Sequence, residues 1–212
     1  MTIRSTLFIV LFALISGCAG HQTELGKEAN KSVESADNIS LFQQKSISMT
    51  IPNGTPRVQF DKQEYYLKWA SVDTATTNEY IRPGETIEAW TRMITFKEYA
   101  GTKELKDFLP NYIQAVSPLL ALKPQFLHPK MKKHKDEMML LLLLLAPEKS
   151  HYEYVVHRVY VDEGGPVQSV IFSLRIPFSS EVSFNEVMDN RGKWMDELGG
   201  LELSGFSAVP TP

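Results

Sequence analysis

The stretch 152-YEYVVHRVYV-161, followed by 162-DEGGP-166 and 167-VQSVIFSLRI-176, carries the strongest fold signal in the chain. Both apolar runs are rich in β-branched and aromatic residues, which are enriched in strands. The short Gly- and Pro-containing segment between them predicts a hairpin of two antiparallel strands. Because side chains alternate between the faces of a strand, the buried face of the second run is predicted to consist of Val170, Phe172, Leu174 and Ile176.

Three more strands are predicted ahead of this hairpin, from alternating or β-branched patterns between turn residues. They are 47-ISMTI-51, 65-YYLKWASV-72, with Tyr65, Leu67 and Trp69 on one face, and 91-TRMITFKEY-99, with Ile94 and Phe96 inward. Arg92 continues the inward face of the third strand at its outer end.

Two segments have the three- and four-residue spacing of amphipathic helices. The first is residues 103–122, for which Thr102 is the expected N-cap. Pro110 and Pro118 exclude one straight helix, so a kink or break is expected at one of them. The second helix is expected to begin at the capping box 183-SFNE-186 and to end at Gly199-Gly200.

The run 138-MMLLLLLL-145 is apolar at every position. Leu and Met favour helix by propensity, but a short apolar run bounded by Pro147 is typical of a fully buried strand, which we favour. A membrane-spanning helix needs about 20 apolar residues, so this run belongs to a core.

The order of these elements is strand, strand, strand, helix, strand, strand, strand, helix. Such grouping indicates the α+β class. We expect an antiparallel sheet of about six strands with two main helices on one face, in a single domain of residues 46–203, and a disordered tail at residues 204–212.

The N-terminus has the order of a secretory signal: Arg4, an apolar run over residues 7–15, and small residues before Cys18. The stretch 14-LISGC-18 resembles the lipobox of bacterial lipoproteins. The resemblance implies that the signal peptide, residues 1–17, is removed and that Cys18 becomes the acylated N-terminus of a polar tether, residues 18–45. An ordinary secretory signal with a chance cysteine is the alternative.

Two further expectations come from resemblance. Ala19 follows the cysteine, whereas Asp there resembles an inner-membrane retention signal of enteric lipoproteins, so the implied location is the outer membrane, facing the periplasm. The element order over about residues 46–203 resembles the Mog1/PsbP-like domains of some envelope lipoproteins, although no motif supports it, and fold analogy alone supplies no function.

Charge and cysteine content exclude several functions. Removing Arg4 with the leader leaves 21 Lys and Arg against 25 Asp and Glu, a net charge of −4. This mild acidity argues against a nucleic-acid partner, which a basic domain would favour. Cys18 is the only cysteine, so disulfides, thiolate metal sites and cysteine nucleophiles are excluded from the body.

No catalytic or cofactor motif is present. The chain lacks Gly-x-Ser-x-Gly, Gly-x-Gly-x-x-Gly, a Walker loop and His-Glu-x-x-His. His151, Glu153 and His157 share a strand face, but the two histidines are six residues apart, about 20 Å along a strand, too far for one metal ion. We therefore expect no metal and no cofactor, and the sequence does not indicate an enzyme.

The expected function is a non-catalytic binding or accessory module, anchored to the membrane, with an envelope protein as its possible partner. The alternative is an envelope hydrolase acting on lipid or cell-wall material. Tryptophan and arginine are frequent at binding hot spots, and the lysine-rich connector at residues 123–137 offers charge. The candidate binding surface therefore comprises Trp90, Arg92, Lys132, Lys133 and His157.

Overall fold

The computed structural model describes residues 56–130 and 133–201, apart from the side chains of residues 181–183. Within these residues it has one antiparallel sheet of eight strands, two α-helices and one 3-10 turn. In chain order the elements are β1 (Arg57–Phe60), β2 (Gln63–Val72), β3 (Thr76–Ile81), β4 (Arg92–Tyr99), α1 (Leu105–Val116), the 3-10 turn (Ser117–Leu119), β5 (Gln125–Leu127), β6 (Asp136–Leu145), β7 (His151–Val161), β8 (Val167–Pro177) and α2 (Glu181–Leu198).

The sheet consists of two four-stranded meanders joined at its centre. The strand order is β1-β2-β3-β4-β8-β7-β6-β5, and β4 pairs with β8 along its whole length, from Arg92 opposite Leu174 to Tyr99 opposite Val167. The predicted β7–β8 hairpin is confirmed, with Val161 opposite Val167 at its closed end.

The two helices lie on opposite faces of the sheet, so the expectation of two helices on one face is not confirmed. On one face, Trp194 of α2 packs in a core with Val156 and Phe172. On the other, Tyr112 of α1 packs in a core with Val155. The physical reason is visible in the sequence: β6 and β7 are apolar at consecutive positions, and such strands are buried on both faces.

The number of strands also exceeds the expected six. The strands β1, β3 and β5 have no counterpart in the prediction because they are short or polar, as in 76-TTNEYI-81. The run at residues 138–145 forms β6, which confirms the strand interpretation. The predicted strand at residues 47–51 lies outside the described residues.

Both helix predictions are correct in position and differ at the ends. The first helix is α1, and Pro110 lies inside it. It is followed directly by the 3-10 turn that contains Pro118, which is the expected break. Its N-cap is Glu104 rather than Thr102. The second helix begins at Glu181, immediately after a turn that follows β8, so the predicted capping box at residues 183–186 lies within the helix, from its third residue on. It ends at Leu198 as expected, and the Gly199 N–H donates to the Met195 carbonyl at 3.0 Å.

A carboxylate in the β1–β2 turn fastens α2 to its face of the sheet. Asp61, at a φ of 50°, accepts hydrogen bonds from Arg92 Nη1 and Trp194 Nε1, each at 3.0 Å, and from Lys193 Nζ. Burial raises the pKa of Asp61, but the bonds from Lys193 and Trp194 outweigh it and leave the pKa lowered. The carboxylate is therefore held ionised between the helix and β4.

Candidate functional site

A pocket of about 130 Å³ opens beside α1, on the same face of the sheet. Its floor is made of side chains from β2, β3, β4, β7 and β8, and Tyr112 of α1 contributes to its wall. The floor is polar as well as aromatic, and includes Trp69, Ser71, Thr77, Glu79, Thr95, Lys97, Ser173, Glu153 and Arg175.

An irregularity in β2 brings Trp69 to this face. The pairing register between β2 and β3 shifts between Leu67 and Trp69, which is a β-bulge around Lys68. An extra residue reverses the face of those that follow it. Leu67 therefore packs with the α2-side core, whereas Trp69 lines the pocket directly opposite Glu79, and the prediction that both share one face is wrong.

One end of the pocket holds two ionisable groups of opposite sign, Glu79 and Lys97. The glutamate is half-buried, and the lysine is only 6% exposed. Burial raises the pKa of Glu79 to about 7, against an opposing effect of Lys97. Burial lowers the pKa of Lys97 to about 8, against an opposing effect of Glu79. Both groups therefore change protonation close to neutral pH, as groups at functional sites often do.

The other end of the pocket is built around Arg175. Its guanidinium lies 4.0 Å from the centre of the Trp90 ring, and its Nη1 donates to the Glu88 carbonyl at 2.9 Å. Its Nε is 3.9 Å from Glu153 Oε1, which is also 3.3 Å from His151 Nε2. The guanidinium thus has a carbonyl acceptor, an indole face and a nearby carboxylate, while its Nε forms no hydrogen bond within the described residues.

His157 belongs to the core under α1 and not to the pocket. It is fully buried, its Nε2 is 2.7 Å from Ser169 Oγ, and its ring lies 4.7 Å from that of Tyr112. Burial, reinforced by the charge of Lys97, lowers the pKa of His157 to about 3. The imidazole is therefore neutral at neutral pH and closed to solvent.

The structure does not bring the predicted binding residues together. Of the described ones, Trp90 alone lines the pocket. Arg92 lies on the α2 side, where it pairs with Asp61 and Glu186. The Lys133 ammonium reaches the Gly200 carbonyl at 3.4 Å, beyond the end of α2. Cys18 and Lys132 lie outside the described residues.

The residues considered for a metal are also separated. His151 contacts Glu153 at the pocket rim and Glu148 at 3.5 Å, whereas His157 is in the core. Within residues 56–130 and 133–201, no group of three or more His, Cys, Asp or Glu side chains is placed to hold a metal ion.

The pocket's charged residues escaped the sequence reasoning. Lys97 and Arg175 lie within predicted strands but are not among the predicted site residues, and Glu79 lies in a strand that the sequence did not predict. The sequence does contain one signal for them, a charged residue within an otherwise apolar strand. Because charged side chains are rarely fully buried, such a residue indicates that this part of the sheet face is accessible to solvent. For Lys97 and Arg175 this signal marks the pocket face of β4 and β8.

A protein-family model matches residues 52–203, which is more than half of the chain. No curated protein and no solved structure matches the chain.

Proposed function

The chain belongs to the protein family whose model matches its residues 52–203, and we propose that it is a lipid-anchored protein of the bacterial cell envelope that binds a ligand in the pocket beside α1. Its role is binding or accessory rather than catalytic. The anchor is Cys18, and residues 18–45 are the tether that holds the domain off the membrane.

The anchor and its location are supported by the sequence. The basic start, the apolar run and 14-LISGC-18 are in the order that lipid attachment requires. Several acyl chains give stable anchoring where a single chain binds a bilayer only marginally. Ala19 favours the outer membrane, facing the periplasm. In the described part of the chain no helix is both long enough and apolar enough to cross a bilayer.

The observation that carries the binding proposal is the composition of the pocket floor. Lys97 and Glu153 are 6% and 2% exposed, and burying charged groups costs desolvation free energy even where they have partners, as Glu153 has in His151 and Arg175. A well-packed apolar face would avoid that cost. Concave sites that combine aromatic walls with a few placed polar groups are typical of ligand pockets.

A partner protein is supported by an exposed aromatic patch on the α2 side. Phe178, Phe184 and Met188 are 50%, 39% and 61% exposed, and the Tyr152 ring lies 5.0 Å from that of Phe178. Contiguous exposed apolar side chains mark interaction surfaces. This surface is separate from the pocket, so an envelope protein and a small ligand can bind at the same time.

The alternative is an envelope hydrolase, and one observation favours it: Glu79 and Lys97 are titratable near neutral pH inside a pocket. The other requirement, an accessible nucleophile and base, is not met by the pair Ser169 and His157. Both are 0% exposed beneath α1, so no substrate reaches them. Binding is the better supported function.

The test uses the full-length protein purified from native bacterial membranes. Mass spectrometry is expected to show that residues 1–17 are absent and that Cys18 carries the acyl groups, and Cys18→Ser should prevent both. A free thiol at Cys18 or cleavage elsewhere would refute the anchor.

Crosslinking in the same membranes tests the partner. It should recover one stoichiometric partner protein, and the Phe184→Ser variant should no longer recover it. Absence of a partner, together with turnover of lipid or cell-wall substrates abolished by Glu79→Gln, would favour the hydrolase.

A further inference from the structure

The pocket has more negative than positive groups. Its lining includes the carboxyl groups of Asp73, Glu79, Glu148 and Glu153, of which Glu79 is partly protonated at neutral pH, against the side-chain cations Lys97 and Arg175. His151 lies between Glu148 and Glu153. A ligand that enters this pocket therefore meets a negative field, which a low-dielectric wall strengthens.

An anionic ligand has no good site here. Arg175 Nη1 donates to the Glu88 carbonyl and the guanidinium lies over the Trp90 ring. Its Nε has no hydrogen-bond partner among the described residues, but Glu153 Oε1 lies 3.9 Å from it and would repel an anion there. Lys97 lies on the pocket floor, where Glu79 acts on it electrostatically. An anion near either cation would approach a carboxylate as well.

Trp69 and Glu79 form the part of the pocket that fits a cation. They are directly opposite each other on β2 and β3, and the bulge places both side chains on the pocket face. Both are half-buried, so each keeps an accessible surface. A cation over an indole face is attracted by the ring quadrupole, most strongly where water is partly excluded, and an adjacent carboxylate adds a charge-assisted contact.

We propose that the ligand of this pocket is a small organic cation, an amine or quaternary ammonium compound, whose charged group lies between the Trp69 indole and the Glu79 carboxylate. The inference rests on the proposed function, since it names the ligand class of the same pocket. The hydroxyl groups of Thr77 and Thr95, both less than one-tenth exposed, provide polar neighbours for the substituents of the cation.

The test is isothermal titration of the full-length protein with choline and putrescine, alongside 3,3-dimethyl-1-butanol as the uncharged analogue of choline, and acetate as an anion. Choline or putrescine should bind and the two other probes should not. Glu79→Gln and Trp69→Ala should each weaken binding about tenfold, with unchanged circular dichroism. Glu98→Gln is the matched control, because Glu98 is on β4 but on the opposite face from Thr95 and Lys97, and it should leave binding unchanged.

The results separate this inference from the proposed function. If neither cation binds at millimolar concentration, or if Glu79→Gln leaves their affinity unchanged, the cation proposal is wrong. Binding of acetate or of the neutral alcohol that is lost in Trp69→Ala would also refute it, while leaving a ligand-binding pocket in place. The ligand-binding part of the proposed function fails if the protein from native membranes carries no ligand in the pocket.

Discussion

Phe172→Asp is expected to unfold the protein. Phe172 is fully buried near the middle of β8, with its ring 4.8 Å from that of Phe60 and 4.9 Å from that of Trp194. The substitution removes these contacts and buries a carboxylate in an apolar core, at a cost of at least several kcal/mol. A typical domain is stable by about 5–15 kcal/mol, so far-ultraviolet circular dichroism should show loss of the native signal at 25 °C.

The control for this prediction is Phe178→Asp. Phe178 follows the end of β8 and is half exposed, so the new carboxylate remains in water. Its melting temperature should stay within a few degrees of the wild-type value. A folded Phe172→Asp protein with the same melting temperature as Phe178→Asp would show that β8 is not at the centre of the core.

Glu137→Leu is expected to lower the free energy of unfolding by about 3–5 kcal/mol, because it leaves the buried Arg158 without its partner. The two side chains are fully buried, and Arg158 Nε donates to Glu137 Oε1 at 2.6 Å. The carboxylate also accepts the backbone N–H groups of Lys133 and His134, and Arg158 donates to the Leu201 carbonyl. The pair therefore ties the connector before β6 and the segment after α2 to the sheet.

Urea denaturation measures this effect. The double variant Glu137→Leu with Arg158→Met should lose less stability than Glu137→Leu alone, because no unpaired charge is then buried. Lys130→Met, which breaks the exposed pair of Lys130 with Asp196, should cost less than about 1 kcal/mol. Equal losses in the single and the double variant would contradict a buried ion pair.

The same pair gives a pH dependence of defined sign. Burial raises the pKa of Glu137, but the hydrogen bonds from Arg158 and from the backbone outweigh it, so the pKa is below the usual 4.5. A lowered carboxyl pKa contributes stability above the unfolded value, and this contribution is lost as the pH falls through the folded value. Glu137→Leu should therefore be less sensitive to acid than the wild type below pH 4.5.

The sequence predicted the elements whose pattern is long and strongly apolar. The strands β6, β7 and β8 are continuous runs of β-branched, aromatic or aliphatic residues, and both helices have clear apolar spacing. The short strands β1, β3 and β5 carry too little local signal, since their pairing with longer neighbours is what fixes them. The unbroken apolar runs of β6, β7 and β8 indicate that the sheet is covered on both faces. Which helix covers which face depends on long-range packing, which the local sequence does not encode.

The candidate site was less predictable than the fold. Trp90 was identified from its residue type, but its partner Arg175 lies 85 positions later and is brought to it by the β4–β8 pairing. Trp69 reaches the pocket through a bulge that shifts the strand register by one residue. Glu79, Lys97 and Arg175 converge from three strands, and no local spacing encodes that convergence.

Native mass spectrometry of the lipidated protein from its own membranes tests the central claim, that the pocket beside α1 holds a ligand. The comparison variant is Ser173→Phe, whose larger side chain would fill the pocket between Met93 and Val155, and Asn111→Phe on the exposed side of α1 is its control. The wild type and Asn111→Phe should carry a bound small molecule that unfolding releases, and Ser173→Phe should lack it while remaining folded. A wild-type protein without bound mass, or the same mass on folded Ser173→Phe, would contradict the account.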